Sequence, residues 1–351
     1  MNKKVSMVMT CYNKANYIGA MLESVLSQTW DNIELILVND GSTDGSRNVI
    51  ASYEKRLRER FDLLIIDQEN QGRASGLRNG FLRVTGDYVC TPDCDDRLEP
   101  DYVLTLAAYL EKNRDVKWVC GDMDCWPLDF SSDTYLYGGE HGFLNRLDND
   151  TWLDAMLSKR VSVTPVTLLA RRDCFDKCNF IDNFLTGREY CQEQQIRIPL
   201  LANGKGAHIN KVLYKYTILA VGSMTEWWRK SADTYYGFLE NYRIDAINAL
   251  KLNNAYSDRR RALFDIGAVK MIANNGIDYD RGKAVESLLE NAASAGIFPV
   301  SAIRRKTALE AGFAVLHHHL CNHIIRLNGR VKDLRPTGKG RVIAYAAYGM
   351  A

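Results

Sequence analysis

The chain has 351 residues, room for one large domain with an extension or for two modest ones. Its 46% hydrophobic and 25% charged residues exclude a disordered or low-complexity protein. The net charge of +2 conceals an asymmetry. From Ser301 onward nine Lys and Arg face only Glu310 and Asp333, which gives the tail +7 and leaves −5 for the rest.

Such a basic end suits an anionic surface, either membrane headgroups or nucleic acid. No stretch approaches the roughly 18–20 apolar residues of a membrane-spanning helix. The opening MNKKVSMVMTCYNK has an apolar run too short for a secretory leader. Nine cysteines with no CxxC pair read as reduced thiols of a cytosolic protein, not as a zinc site.

In chain order, VSMVMT (5–10) is a short strand-forming run. NYIGAMLESVLSQ then places Ile18, Met21, Leu22, Val25 and Leu26 on one face of a helix. IELILVN (33–39) is a second strand, stopped by the turn-rich DGSTDGS, which can cap a helix over SRNVIASYEKRLRE. DLLIID (62–67), the helix GRASGLRNGFLRV, the strand DYVCTP (87–92), the helix EPDYVLTLAAYLEKN with Pro100 in its first turn, and the strand VKWVCG follow. Strand–helix alternation with short connections predicts an α/β fold, a mostly parallel sheet with helices on both faces.

Beyond residue 121 the pattern loosens. VSVTPVTLLARRDCF is strand-rich, TGREYCQEQQIRIPLLANG reads as an acidic loop entering a helix that stops at Gly204, and HINKVLYKYTIL is a further strand. After Ser223 three helix-length segments follow, separated by Asn, Gly and Asp. The expected division is 1–225, with halves at about 1–120 and 121–225, followed by a helical region 226–351 with a basic tail.

A parallel sheet binds ligands beyond the carboxyl ends of its strands. Four D-x-D triplets occur, at 93/95, 122/124, 148/150 and 278/280, so the triplet alone says little. Position discriminates. Asp93, Asp95 and Asp96 follow a strand and precede a helix, and NDGSTD (39–44) follows an earlier strand. Two acidic clusters are expected on one rim, although a solvated helix entry would also favour aspartates.

VMTCYNKANYIGAMLESVLSQTWDNIELILVNDGSTDGS, ENQGRASGLRNGF, PDCDD and CQEQQIRIPLLANG come in the order found in inverting glycosyltransferases of family 2, and roughly residues 4–225 resemble that family. The resemblance implies a GT-A fold and a nucleotide-sugar donor, UDP-linked, whose sugar passes to a glycan or lipid-linked acceptor in cell-surface polysaccharide synthesis. It implies no nucleic-acid partner. It also implies a divalent cofactor, Mn2+ or Mg2+, because a departing nucleoside diphosphate needs its charge neutralised and hard cations take carboxylate oxygens.

Asp95 is then the first metal ligand, with Asp93 on the metal or the ribose and Asp96 near the sugar hydroxyls. Thr10, Asn13, Asp40 and Arg78 fall in the nucleotide pocket. Asn39 stands where the family often has a second aspartate, so the division of contacts there differs. The carboxylate that takes the acceptor's proton maps onto Glu193, in a Gln192–Glu193 pair where the family has Glu-Asp, with Glu189 as runner-up. QQIRI echoes the Q-x-x-R-W motif of processive synthases but lacks the tryptophan and abuts the base, so it reads as coincidence. A histidine that helps hold the metal in relatives is replaced near Ala220 and Val221, and His208 reads as a buried strand residue.

Leu309, Phe313, Leu316, Leu320, Ile324 and Leu327 recur at helical spacing between two basic clusters. That helix either packs on the body or a second copy, or docks on anionic lipid at the inner face of the membrane. His317, His318, His319 and His323 point in different directions on such a helix and do not form a metal site. Trp227, Trp228, Tyr235, Tyr236 and Tyr242 either stack on sugars or pack a core. Two other classes compete. A sugar nucleotidyltransferase shares the sheet but needs a Gly-rich loop that TCYNKAN lacks, and a non-catalytic relative fits Gln192 and the missing histidine.

Overall fold

The computed structural model describes residues 3–127, 135–137, 149–158, 163–176, 180–187, 190, 192–218 and 232–274. The first half follows the predicted alternation. Strand β1 (Val5–Cys11) leads to α1 (Ala15–Leu26), β2 (Ile33–Asp40), α2 (Ser46–Arg60), β3 (Asp62–Gln68), α3 (Arg73–Phe81) and β4 (Tyr88–Cys90). β1 pairs in parallel with both β2 and β4, and β2 pairs in parallel with β3. Every residue of β2 is buried, as its unbroken apolar run requires of a strand covered on both faces. β3, at the sheet edge, buries only Leu63 and leaves Asp62, Leu64 and Asp67 exposed.

Helix α1 buries Ile18, Met21, Leu22 and Val25 completely, the i, i+3, i+4, i+7 set read from sequence. α1 packs on α2, while α3 lies against β1 and β2. α3 comes so close that a Cβ on Gly80 would collide with Val8. Only glycine permits that approach.

The second half mixes directions. A two-residue strand β5 (Arg97–Leu98) precedes α4 (Tyr102–Lys112), and the long β6 (Val116–Pro127) follows. Then come β7 (Tyr135–Tyr137), α5 (Asn149–Leu157), a 3-10 turn at Pro165–Thr167, β8 (Leu168–Arg171), α6 (Asp173–Asp176), α7 (Gln192–Asn203) and β9 (Lys205–Ile218). Among the described residues nine strands form one sheet in the order β3-β2-β1-β4-β8-β6-β9-β5, with β7 beside β6. β8 runs antiparallel to both β4 and β6, β5 antiparallel to β9, and β6 parallel to β9. The parallel arrangement expected from alternation therefore holds from β3 to β4, and the remainder is mixed. Pro100 lies just ahead of α4 and not within it.

Two compact units divide the chain. The first, Met1–Leu153, Val163–Gly222 and Ile244–Ala255, contains the sheet. Within it Phe81, Phe175, Phe180 and Phe184 stack with ring centroids 4.8–6.3 Å apart, so α3 is packed against the chain that leads into α7. The second unit comprises Asp154–Ser162, Ser223–Arg243 and Tyr256–Ala351. Helices α8 (Ala232–Leu252) and α9 (Asp258–Asn274) correspond to the first two helical segments expected after Ser223. In this unit Tyr242 stacks on Phe238 and Phe264 at 5.7 and 5.5 Å. Asp154 accepts from Arg259 and, at 2.9 Å, from Arg260 Nε.

Candidate active site

Strand order reverses between β1 and β4. The chain steps from β1 to β2 and β3 on one side and resumes with β4 on the other. Connections leave such neighbours in opposite directions and open a crevice above their carboxyl ends. Residues 93–96 follow β4 into that crevice, opposite Lys14 at the end of the loop after β1.

The three aspartates differ in their surroundings. Asp96 is 1% exposed; its Oδ2 accepts from the Tyr214 hydroxyl at 2.7 Å and its Oδ1 from Thr217 N at 2.7 Å. Burial pushes its carboxyl well above the usual range, and Asp95 and Asp93 add to the shift. Asp93 pairs with Arg73, and its backbone N–H donates to the same Tyr214 hydroxyl at 3.0 Å. Burial pushes the Asp93 carboxyl up to about 6, with Arg73 pulling it down and Asp95 and Glu193 pushing it further. Asp95 Oδ2 lies 2.7 Å from Lys14 Nζ. One oxygen from each aspartate falls within 4.8 Å of the others. This set of hard oxygen donors fits a divalent cation, with Lys14 and Arg73 now supplying the positive charge.

Glu193 sits in the first turn of α7. Its Oε2 is 3.2 Å from Arg197 Nη2, one turn further along. Arg197 is 2% exposed; its Nη1 donates to Val163 O at 3.1 Å and its Nε to Gln194 Oε1 at 3.2 Å. Gln195 accepts from Leu185 N at 2.6 Å and donates to Leu185 O at 3.1 Å. The segment QQIRI is thus the buried footing of Glu193. Arg73 joins the two halves. Loss of water works against its charge, but Asp93, Glu193 and Asp95 hold the guanidinium above its ordinary value. The Gln192 side-chain oxygen, turned toward it, accepts from Arg73 Nη1 and Nε at 3.2 Å.

The residues expected in the nucleotide pocket lie at or just beyond the ends of β1 and β2 and on α3, several with their polar atoms bonded to the protein itself. Asp40 is 2% exposed; its oxygens accept from Gln68 Nε2, Gln71 N and Gly72 N at 2.7–3.0 Å. It fastens the loop before α3. Gly41 has a φ of +67°, and a Cβ there would lie 2.6 Å from Asn70 N, so the turn admits only glycine. Asn39 Nδ2 donates to Asp67 at 2.8 Å. Asn13, at a φ of 51°, accepts through Oδ1 from Thr43 N at 2.8 Å and so joins the loops after β1 and β2. Arg78 Nε donates to Ile181 O at 3.1 Å. Thr10 is half-buried near the end of β1, and the neighbouring Tyr12 is 45% exposed.

His208 is buried on β9 with Nε2 2.9 Å from Asp122 Oδ1. Glu189, Ala220, Val221, Trp227, Trp228, the side chains of Tyr235 and Tyr236, and the tail with its histidines lie outside the described residues. Sequence reading missed Lys14, Arg73 and Tyr214. Lys14 and Arg73 sit inside the quoted motifs, but no spacing rule marks a cation that meets an aspartate 20 or 81 residues away. Tyr214 reads only as an apolar strand position.

Residues 6–159 match the family model described as glycosyl transferase family 2. The match covers a little under half of the chain and assigns that stretch to the glycosyl transferase family 2 domain, and the sheet is of the GT-A type. It is 38% identical over 103 residues to glycosyltransferase GlyA of Streptococcus pneumoniae, 29% of this chain and 14% of that protein. It is 28% identical over 227 residues to glycosyltransferase GlyG of the same organism, 62% and 71% respectively. The crystal structure of S. aureus TarS 1–349 in complex with UDP-GlcNAc superposes with a TM-score of 0.61 at 16% identity, over 92% of this chain and 88% of that one. The likeness to TarS is one of fold. The chain spans less than two thirds of GlyA, whose length it matches only in small part.

Proposed function

We propose that the chain is a metal-dependent inverting glycosyltransferase. It moves a sugar from a nucleoside-diphosphate donor, UDP-linked by preference, to a glycan or lipid-linked acceptor in cell-surface polysaccharide synthesis. One observation carries the reading: Arg73 meets Asp93 at one side and the Gln192–Glu193 turn at the other. Through Arg73, a carboxylate suited to deprotonating a hydroxyl is linked to carboxylates suited to the cation that a donor's diphosphate needs. TarS with UDP-GlcNAc on the same fold, and relatives named glycosyltransferases, support the donor class.

In this reading Thr10, Asn13, Asp40 and Arg78 frame the nucleotide, and the exposed ring of Tyr12 offers a stacking face for the base. Asp95 and Asp93 would hold Mn2+ or Mg2+, which neutralises charge on the departing diphosphate. Glu193 accepts the acceptor's proton as its oxygen attacks opposite the leaving group. Arg197 holds that carboxylate in place through their 3.2 Å pair. Tyr214 fixes the 93–96 turn by holding both Asp93 N and Asp96. Residues 1–225 form the transferase part and 226–351 a helical extension. Among the described residues no helix is long and apolar enough to cross a membrane. The basic tail would bring the chain to an anionic surface that carries a lipid-linked acceptor, or to a second copy.

The test is a panel of nucleotide-sugars with Mn2+, read first by thermal stabilisation and then by release of the nucleoside diphosphate. A single class of donor should raise the melting temperature and be slowly hydrolysed. A non-catalytic relative would bind without hydrolysis.

A further inference from the structure

We propose that Lys14 is a placeholder for the cation. It occupies Asp95 in the donor-free chain, passes to the donor's diphosphate when the nucleotide enters, and so makes tight metal binding wait for the nucleotide. This inference rests on the reading of residues 93–96 as the cation site.

The observation is that Asp95 is already paired. Its Oδ2 lies 2.7 Å from Lys14 Nζ, and both side chains are 18% exposed, so solvent screens the pair only in part. Asp93 is likewise matched by Arg73. A crevice whose carboxylates are already balanced exerts little pull on a free divalent ion. A cation reaching the same Asp95 oxygen would also stand within a few ångströms of an ammonium, where like charges repel strongly. One of the two must leave.

The build of Lys14 says which. Its backbone is anchored, with Lys14 N donating to Ser46 Oγ at 2.7 Å, and the preceding Asn13 is tied to Thr43. Its side chain is held by the Asp95 pair and by a loose approach to the Tyr17 ring, 5.9 Å from Nζ to the centroid. A fixed Cα with a four-carbon arm lets the ammonium change partners without moving the strand or α1. Arg73 has the opposite character, since Asp93, Glu193 and Gln192 hold it from two sides. A diphosphate, richer in charge than one carboxylate, draws Lys14 off and exposes Asp95 at the moment a cation is useful. The consequence is an ordered site that does not trap metal when no donor is present.

The experiment measures Mn2+ binding by the electron paramagnetic resonance of free Mn2+, on the full chain. Wild type, Lys14→Met, Lys14→Gln and Lys14→Arg are compared without nucleotide and with UDP, GDP or ADP in turn; thermal melts confirm that each is folded. Wild type and Lys14→Arg should bind Mn2+ weakly alone and tightly with the matching nucleotide. Lys14→Met and Lys14→Gln should bind Mn2+ alone about tenfold tighter than wild type, and metal-free nucleotide more weakly. If both variants bind Mn2+ alone no better than wild type while wild type still shows nucleotide-dependent binding, the role of Lys14 falls and the cation site stands. Tight Mn2+ binding by wild type without nucleotide also overturns it. If no protein binds Mn2+ under any condition, the placeholder and the cation site fall together.

Discussion

Arg197 and Glu193 form an ion pair of 3.2 Å across one turn of α7, with the arginine 2% exposed and the glutamate side chain 20% exposed. The arginine is the buried anchor and the glutamate the more exposed end of the pair. Glu193→Gln should leave nucleotide binding unchanged and lower turnover by about a hundredfold or more, the usual scale for a lost general base. Arg197→Met removes the partner and leaves the Val163 carbonyl without its donor. It should lower stability by about 3 kcal/mol, read as a shift in the denaturant midpoint, and reduce turnover as well. Turnover unchanged in Glu193→Gln would remove Glu193 from the mechanism.

Asp95→Asn keeps the shape of the 93–96 turn and removes one charge. Mn2+-dependent nucleotide binding, followed by calorimetry, should be lost while the melting temperature without ligand changes little. Asp96→Asn is a contrast. With Asp96 held by Tyr214 and Thr217, its replacement should show first as instability, about 1–3 kcal/mol, the cost of disturbing a buried hydrogen-bonded group.

Glu34 sets part of the acid limit. This carboxylate is 6% exposed on β2 and accepts from Ser6, from Thr85 N at 3.0 Å and from Thr85 Oγ1 at 2.6 Å, with Lys4 Nζ at 3.5 Å. Burial favours its neutral form, but the hydrogen bonds from Ser6 and Thr85 win and hold its carboxyl below the usual range. A depressed folded value means that its stabilisation is complete above the unfolded value of about 4.3 and is lost as pH falls through the folded one. Unfolding free energy should therefore drop below about pH 4, and Glu34→Gln should flatten that limb while lowering stability at pH 7. An unaltered acid limb in the variant would assign the loss to other carboxylates.

Gly80→Ala places a methyl group against Val8 where α3 crosses β1. Overpacking of this kind costs about 1–3 kcal/mol. Urea denaturation should show a lower midpoint with an unchanged slope. Because α3 also carries Arg73, nucleotide affinity should fall with it. Restoring space with Val8→Ala should recover part of both.

How much of this was legible beforehand depended on whether the signal is local. The short apolar runs and the helical period in residues 5–120 place β1 to β4 and α1 to α4 within about three residues, because covered strands and one-sided helices each leave a local mark. Residues 93–96 could be placed on the rim for the same reason, since a strand's end and a helix's start are both readable. The direction of β8, which enters the sheet between β4 and β6, was not readable. Its apolar run looks the same whichever way it points, and only its neighbours decide.

By itself the sequence determined the alternating half, the rim that carries the aspartates, the family resemblance, and Glu193 at the head of its helix. Only the tertiary structure decided the electrical state of the crevice. Lys14 reaches Asp95 across 81 residues, Arg73 reaches Asp93 across 20, and Tyr214 reaches Asp96 across 118. Charge balance is a property of distances in space, and in the chain those partners have no fixed spacing to betray them.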